Sequence, residues 1–316
     1  MSLRPADVGH RVVVRRVLGE PGPGEQNDGR PQFGDLLGEL IELDADRQRV
    51  VVRTAAGDVA VPVAEVVAAK RVPARVDALE LERIAALGWR GLDTGTLGGW
   101  QLRAAGGWTG RANSVLPLGD PGIPLEAALD AVREWYAARE LPPTIQLPLP
   151  ARDDLRRELE ARGWADQWGA LVLVSSAAPL RRSGVPGLPP VTVDDEPDDA
   201  WLAAYQYRGN PLPPIARQVL VEGAAPGFAS IRENGATLAI CRTSVDEGWL
   251  GITAVEVDPA HRRRGLATHL LAGVVEQTAA ENVYLQVDPE NTAAVALYRK
   301  AGFRRHHIYR YYRPSV

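Results

Sequence analysis

The chain has 316 residues, a formal net charge of −4 and an isoelectric point near 5.8. This length exceeds that of a typical single domain, so we expect two or three domains; the slight acidity gives no overall basic surface and disfavours a nucleic-acid partner. The single cysteine, Cys241, excludes an intrachain disulfide and a zinc site built from several cysteines. No apolar run approaches membrane-spanning length and the first residues lack a signal-peptide core, so the sequence predicts a cytoplasmic protein without a membrane partner.

Residues 1–75 carry short alternating apolar runs between turn-rich stretches, a spacing that predicts a small all-β barrel. The pattern resembles an SH3-like barrel. Such barrels bind peptides or nucleic acid, but Phe33 is the only aromatic residue of this segment, which favours a packing module. The predicted strands are Arg11–Val17, Leu36–Leu43, Val50–Thr54 and Val59–Val63, closed by Pro62–Val72, and Gly19–Gln32 is predicted to be a mobile loop.

The next segment, residues 76–180, alternates helical and strand patterns. The predicted helices are Asp77–Leu87, Pro124–Arg139 and Asp153–Arg162, and the apolar or strand-like stretches are Trp100–Ala104, Ala112–Leu118, Thr144–Leu147 and Ala170–Val174.

This order recurs later in the chain at a constant offset. Gly163 and Gly302 each end a helix before an aromatic residue and lie 139 positions apart (302 − 163). The same offset places Leu118 on Val257 without a gap. We therefore predict an internal duplication, in which residues 112–174 superpose on residues 251–313.

Arg181–Pro190 is rich in proline and glycine and is predicted to link the two copies. Two helical segments and three strands should follow, with Asn234-Gly235 as the stronger of two hairpin turns. The helical segments are Pro197–Arg208 and Pro211–Glu222, and the strands are Phe228–Glu233, Thr237–Thr243 and Trp249–Val257.

The most informative stretch runs from Ala254 to Leu271. A β-branched run ends at Val257, Asp258-Pro259 breaks it, and three arginines lead through Gly265 into helical spacing. Such a turn directs the free N–H groups of the first helical turn at one point. Because cations at the positive end of a helix cost about 0.3–1 kcal/mol each, the arginines indicate an anionic ligand such as a phosphate or pyrophosphate.

Arg262-x-x-Gly265-x-Ala267 after a strand resembles the pyrophosphate loop of the GNAT acetyltransferases. Val283–Val287 and Asn291–Phe303 resemble the strand and helix that follow in that family. The resemblance implies an α+β fold, namely the α/β GNAT fold with a mixed sheet flanked by helices, duplicated and preceded by the small all-β SH3-like barrel. The predicted domains are the SH3-like barrel (1–75), a degenerate GNAT-like domain (76–180), a linker (181–190) and a catalytic GNAT domain (191–316).

The offset also indicates which copy is active. A glutamate where the pyrophosphate should lie would repel it, so the first copy is predicted to be a scaffold. The first copy carries Ile123, Glu126, Arg152 and Leu159 where the second carries Arg262, Gly265, Asn291 and Tyr298.

The resemblance implies acetyl-CoA as co-substrate and no metal. In the family, a splayed strand binds pantetheine and polarises the thioester through its main chain, a role that falls here to Val255, Glu256 and Val257. The groups around the pyrophosphate would come from Arg262, Arg263, Arg264, Gly265, Leu266, Ala267 and Thr268.

Two residues of the following helix complete the implied site. Asn291 either contacts pantetheine or caps the helix N-terminus, and both are compatible. Tyr298, on the same helical face, would protonate the departing CoA thiolate, because a phenol of pKa ~10 stays protonated near a thiol of pKa about 8.5. The alternative for Tyr298 is an ordinary core aromatic.

The general base is not evident. Leu285-Gln-Val and Tyr309-Arg-Tyr-Tyr-Arg-Pro resemble the ribosomal-protein and N-terminal acetyltransferases, in which a glutamate stands at the position of Gln286. Glutamine cannot act as a base, and Glu256 is the nearest replacement by sequence; its alternative is an ordinary strand carboxylate. The remaining titratable candidates, which form no metal-ligand pattern, are His261, His306 and His307.

Acceptor specificity is expected from the helices before the first strand of the second copy, with Tyr205, Tyr207, Arg208 and Asn210 as candidates by position. The sequence thus predicts an N-acetyltransferase that transfers acetyl directly to a primary amine of a small molecule or of a protein, at an N-terminus or lysine. The tandem arrangement also resembles mycothiol synthase, which acetylates a cysteinyl pseudodisaccharide. A third hypothesis is a non-catalytic module that senses acyl-CoA or binds peptides.

Overall fold

The computed structural model describes residues 3–18, 32–44, 48–54, 56–72, 76–207 and 209–315. The chain divides into two compact units, Met1–Arg75 and Val76–Val316. The division coincides with the first predicted domain boundary, and both predicted copies lie within the second unit. The boundaries drawn inside that unit stay predictions.

The first unit is a five-stranded antiparallel sheet with the strand order β4-β3-β2-β1-β5. Alternate residues of its strands point inward, so Val12 and Val14, together with Val50 and Val52, are fully buried. The SH3-like assignment stays a prediction, and most of the predicted mobile loop (residues 19–31) lies outside the described residues. The strands are β1 (Arg11–Leu18), β2 (Gln32–Asp44), β3 (Arg49–Thr54), β4 (Gly57–Pro62) and β5 (Val66–Arg71).

The second unit begins with a helix whose N-terminus is capped by Asp77, since its carboxylate accepts the Glu80 N–H at 2.8 Å. The three predicted helices and three of the four predicted stretches are present, most of them with shifted ends. The fourth, Ala112–Leu118, contains only the two-residue strand Leu116–Pro117, and the strand Asp93–Leu97 was not predicted. The elements are α1 (Ala78–Gly88), β6 (Asp93–Leu97), β7 (Trp100–Ala104), β8 (Leu116–Pro117), α2 (Leu125–Ala137), β9 (Ile145–Leu149), α3 (Asp153–Ala161), β10 (Trp164–Ser176) and α4 (Ala177–Arg181).

The elements that follow include one strand that the sequence analysis missed, Val191–Asp194, which pairs at the sheet edge. The two predicted helical segments are much shorter than expected. The first ends at Ala204 because Tyr205 adopts an extended backbone, and the second begins only after three prolines between residues 211 and 214. The elements are β11 (Val191–Asp194), α5 (Asp199–Ala204), α6 (Ala216–Val221), β12 (Pro226–Glu233), β13 (Ala236–Asp246), β14 (Trp249–Val257), α7 (Leu266–Glu276), β15 (Asn282–Val287), α8 (Thr292–Lys300) and β16 (Arg304–Pro314).

The element bounds agree with the offset found in the sequence. Both ends of α3 and α8 differ by 139 residues (292 − 153 and 300 − 161). The order helix, strand, helix, strand from α2 to β10 therefore matches that from α7 to β16.

We call residues 76–180 the first half of this unit and residues 191–316 its second half. The two halves exchange their last strands, β10 and β16. The main sheet has the order β11-β12-β13-β14-β15-β10-β16-β9, so β10 of the first half pairs with β15 of the second. In return, β16 of the second half pairs with β9 of the first, and the two exchanged strands pair with each other. Each half thus depends on a strand that the other half supplies.

Candidate active site

Strand β14 opens away from its neighbour partway along its length. It pairs in parallel with β15 only from Trp249 to Ile252, which lies opposite Leu285. A bulge at Ala254, whose φ is +51°, shifts its register against β13 on the other side. From residue 253 onward the described residues offer no strand partner on the β15 side, so this edge of β14 is open to a ligand. The Val257 carbonyl there accepts a hydrogen bond of 3.3 Å from the Arg262 guanidinium.

The turn after β14 leads into α7 through Gly265, which has φ +84° and occupies the N-cap position. No side chain caps this helix, so the N–H groups of its first turn stay available to an anion. A Cβ atom added at Gly265 would lie 3.2 Å from a methyl carbon of Val185, so the turn is both strained for other residues and closely packed.

Helix α8 presents the two other predicted residues. Asn291 caps its N-terminus, because its side-chain oxygen accepts the Ala294 N–H at 3.1 Å. Tyr298 is 6% exposed and packs edge-on against Phe303, with 5.8 Å between ring centroids. Its hydroxyl has no hydrogen-bond partner within the described part of the chain. Tyr298 is therefore a core aromatic with a free hydroxyl.

A cavity of about 920 Å³ brings these elements together. Its wall includes all but one of the predicted cofactor-binding residues, with the exposed Asn291 and the buried Tyr298 on one side. The exception is Arg264, whose guanidinium lies 3.8 Å from the Glu233 carboxylate. The predicted residues in the wall are Val255, Glu256, Val257, Arg262, Arg263, Gly265, Leu266, Ala267, Thr268, Asn291 and Tyr298.

Burial sets the protonation of the two candidate catalytic groups. It raises the pKa of the Tyr298 phenol, and the nearby Cys241 and Glu256 act in the same direction, so the phenol stays protonated at neutral pH. Burial also raises the pKa of the Glu256 carboxyl, while Arg262 opposes that shift. A carboxyl with a raised pKa is a better base once it is ionised.

The first half has a cleft at the corresponding place, with a volume of about 580 Å³, but different side chains line it. Arg152, at the position of Asn291, donates a hydrogen bond of 2.7 Å to the Pro117 carbonyl, at the position of Glu256. The Arg152 guanidinium thus occupies the main-chain carbonyl to which pantetheine would otherwise bind. Three carboxylates, of Asp120, Asp154 and Glu158, line the same cleft beside Arg152 and Arg157, so the cleft lacks the excess of positive charge that would favour a pyrophosphate.

The predicted acceptor residues are only partly gathered. Tyr205 is buried in an aromatic cluster with Trp89, Trp108 and Trp201, and Tyr207 lies beside it with its ring 5.6 Å from that of Trp108. Asn210 is exposed, and its main-chain N–H donates to the Tyr207 carbonyl at 3.0 Å. The fourth candidate, Arg208, lies outside the described residues.

One residue that sequence reasoning did not select, Arg111, contacts Gln286. Arg111 of the first half donates to the side-chain oxygen of Gln286 at 2.6 Å, a contact across 175 residues that no local pattern could signal. His307 is bound to the buried carboxylate of Glu82 at 2.9 Å, and His306 contacts His307. Both histidines are therefore engaged in structural contacts.

The geometry can be compared with known proteins. The family described as "Probable histone acetyltransferase Rv0428c C-terminal" matches residues 76–312. This chain belongs to that family. The chain is 30% identical over 296 residues to the Mycobacterium tuberculosis protein named "Probable histone acetyltransferase Rv0428c", covering 89% of each chain.

A second curated relative is the uncharacterized N-acetyltransferase YobR of Bacillus subtilis, 28% identical over 241 residues, which cover 72% of this chain and 94% of YobR. Among solved structures, a GCN5-related N-acetyltransferase from Kribbella flavida superposes with a TM-score of 0.57 at 18% identity, covering 77% of this chain and 97% of that one. This likeness concerns the fold. The assignment to the GNAT acetyltransferases that the Arg262–Ala267 motif suggested is confirmed.

Within the described ranges, no group of three or more His, Cys, Asp or Glu side chains could hold a metal ion. None of the helices described is long and apolar enough to cross a membrane.

Proposed function

We propose that this GNAT protein transfers the acetyl group of acetyl-CoA directly to a primary amine of a small molecule or of a protein. The observation that carries the proposal is the single cavity in which the opened strand β14, the Gly265 turn and Tyr298 meet. The relative named as a probable histone acetyltransferase supports a protein amine as one possible acceptor class.

The cavity wall fits the two ends of acetyl-CoA. The uncapped first turn of α7, approached closely at Gly265 and flanked by Arg262 and Arg263, suits the pyrophosphate. The open edge of β14 from Val255 to Val257 suits the pantetheine amides, with the Asn291 side-chain amide beside it. Acetyl-CoA supplies an activated thioester.

The proposed reaction needs three functions from the chain. Main-chain N–H groups of the opened strand stabilise the charge that develops on the carbonyl oxygen. Glu256 accepts the proton of the attacking amine, and Tyr298 donates a proton to the departing thiolate. Val255 and Val257 pack against the core that contains Tyr298, so the Glu256 side chain points to the other face of β14. The proposed proton acceptor and proton donor therefore lie on opposite faces of the opened strand.

The direct test is calorimetric titration of the full chain with acetyl-CoA, followed by a screen of primary amines for thiol release. We expect close to one equivalent bound, because Arg152 and three carboxylates disfavour CoA in the cleft of the first half. Two equivalents would contradict the assignment of the first half as inactive. Binding without acetylation of any amine would instead favour the non-catalytic acyl-CoA sensor, to which the uncharged Gln286 points.

The role of Glu256 predicts the pH profile. The carboxylate is the active form, and burial raises its pKa, so kcat/KM should fall tenfold per pH unit below that raised pKa and level off above it. Glu256→Gln should remove this limb and lower the plateau by about 10²–10⁴-fold, as expected for a lost general base. A profile of unchanged shape in the variant would assign the base to another group or to water.

A further inference from the structure

A loop of the first half reaches the place where the strands of the second half separate. We name residues 105–113 the Arg111 loop. Within it, Arg111 donates to the side-chain oxygen of Gln286 at 2.6 Å. Gln286 directly follows Leu285, the last residue of β15 that pairs with β14. The Arg111 guanidinium therefore lies at the opening in which the thioester is proposed to react.

Arg111 arrives from the face of the sheet opposite the cofactor cavity. Leu285 and Val287 share a hydrophobic core with Tyr298 and helices α7 and α8. Side chains alternate along a strand, so Gln286 points to the other face, as does Tyr284, which packs with α1. An amine that meets CoA at the opening can approach from this second face.

The second face also holds the link to the proposed base. Burial is the main cause of the raised pKa of the Tyr205 phenol, and the charges of Arg111 and Glu256 both act on it, in opposite directions. Ala254, at the bulge of β14, packs against the aromatic cluster that contains Tyr205 and Trp89. Arg111, through Trp89, and the β14 bulge before Glu256 therefore contact the same aromatic cluster.

Two guanidinium groups beside this aromatic cluster form no ion pair with a described residue, although, against the lowering effect of burial, the charge of Glu82 acts to raise the pKa of Arg111. They are those of Arg111 and Arg242, which lie 4.7 and 4.9 Å from the ring of Trp89. Arg242 donates instead to three main-chain carbonyls, and burial, followed by the charge of Arg111, lowers its pKa to about 10. The nearby Glu82 binds Gln146 and His307 through its two oxygens. A partly buried charge without a counter-ion is costly, and an anionic ligand would relieve that cost.

The Arg111 loop is fixed before any ligand binds. The Asn113 side chain accepts N–H groups of Ala105 and Gly107 and donates to the carbonyls of Trp108 and Thr109, at 2.7–2.9 Å. Thr109 is held at φ +65°, a strained value for a β-branched residue. Strain that the surroundings enforce so fully is typical of binding and catalytic sites.

We propose that Arg111 binds a carboxylate of the acceptor, and that the acceptor is a small primary amine that also carries this carboxylate. A guanidinium recognises a carboxylate through two parallel hydrogen bonds, and Arg111 is only partly buried beside the Trp89 ring. Gln286 orients Arg111 through its oxygen without neutralising it, which a glutamate at that position would do. This inference rests on the proposed function, narrows its acceptor class, and gives the inactive half a part in substrate selection.

The test measures binding separately from turnover. The CoA-bound enzyme is titrated with matched pairs of amines that differ only in carboxylate or carboxamide: glycine and glycinamide, β-alanine and its amide, γ-aminobutyrate and its amide. At least one carboxylate should bind about tenfold or more tightly than its amide, as expected for a charge-assisted pair. Arg111→Gln should abolish that difference by weakening only the carboxylate, and Arg111→Lys should retain part of it.

Two further variants guard against a folding artefact. Gln286→Glu supplies an internal carboxylate for Arg111 and should weaken carboxylate binding as Arg111→Gln does. Arg139→Gln removes another arginine that stacks on a tryptophan, 3.6 Å from the Trp135 ring, and should leave both members of each pair unchanged. Equal affinity for carboxylates and amides in the unmodified enzyme, or an equal loss for both in Arg111→Gln, would overturn the inference. Carboxylate binding that depends on Arg111, without acetylation of any amine, would support the site and count against the proposed function.

Discussion

Tyr298→Phe should lower kcat by about 10²–10⁴-fold, the usual contribution of a general acid, while the affinity for acetyl-CoA changes little. The phenol is kept protonated by burial, lines the cavity beside Glu256, and has no hydrogen-bond partner among the described residues that the substitution would break. Packing against Phe303 is retained by the phenylalanine ring. Single-turnover rates and calorimetry on the same samples separate the two effects.

The matched control is Tyr312→Phe. Tyr312 also has a buried ring, but its hydroxyl bonds to Glu160 of α3, outside the cofactor cavity. We expect full activity from this variant. A Tyr298→Phe enzyme as active as the unmodified chain would show that water or the solvent protonates the thiolate, and Tyr298 would then be a packing residue only.

Gly265→Glu should weaken acetyl-CoA binding by about 100-fold or more. A side chain at φ +84° is strained, its Cβ would lie 3.2 Å from Val185, and its carboxylate would face the pyrophosphate at close range. The change also reproduces the first half, in which Glu126 stands at the matching position and its carboxylate binds Arg162. The dissociation constant from calorimetry is the measurement.

Gly163→Glu tests whether backbone strain alone explains the loss. Gly163 has φ +75°, and a Cβ there would meet nothing within 4 Å. This variant should bind acetyl-CoA normally although it carries the same charge and a similar strain. Gly265→Ala adds the strain and the Cβ without the charge, so its affinity for acetyl-CoA should lie between those of Gly265→Glu and Gly163→Glu. Normal acetyl-CoA binding by Gly265→Glu would show that the pyrophosphate does not bind at the turn before α7.

The cofactor-binding part of the site was predictable because its residues lie close together in the sequence. Strand, turn and helix are consecutive in Ala254–Leu271, and a left-handed glycine before a helical apolar pattern has few structural alternatives. The N-cap role of Asn291 followed from its residue type and position in the same way. The roles assigned to these residues in cofactor binding stay predictions.

The acceptor-binding part of the site was not predictable because its residues come from segments that are far apart in the sequence. Arg111 and Gln286 carry no shared motif, and they meet only because β10 brings the first half against β15. Periodicity reports which face of a strand is buried but gives no information about which strand lies beside it. For the same reason the strand exchange escaped the sequence analysis, which found the repeat and treated its two copies as separate domains.

The short helices before β12 show a different limit. Their predicted lengths came from helical periodicity, whereas Tyr205 leaves the helix for an extended conformation and joins the aromatic cluster. Burial of its ring against Trp201, 5.7 Å away, outweighs helix propensity, which contributes only tenths of a kcal/mol per residue.

The exchange of β10 and β16 gives the first half a structural role in the sheet of the second half, whatever the chemistry of its own cleft. If the two halves were separate polypeptides, the sheet would form only when they associated, and its stability would depend on protein concentration. Because one chain carries both halves, formation of the sheet does not depend on protein concentration. Substitutions in the first half should therefore differ in their consequences: a change at Arg152 affects only its own cleft, whereas a change in β10 disturbs the sheet that carries the cofactor cavity.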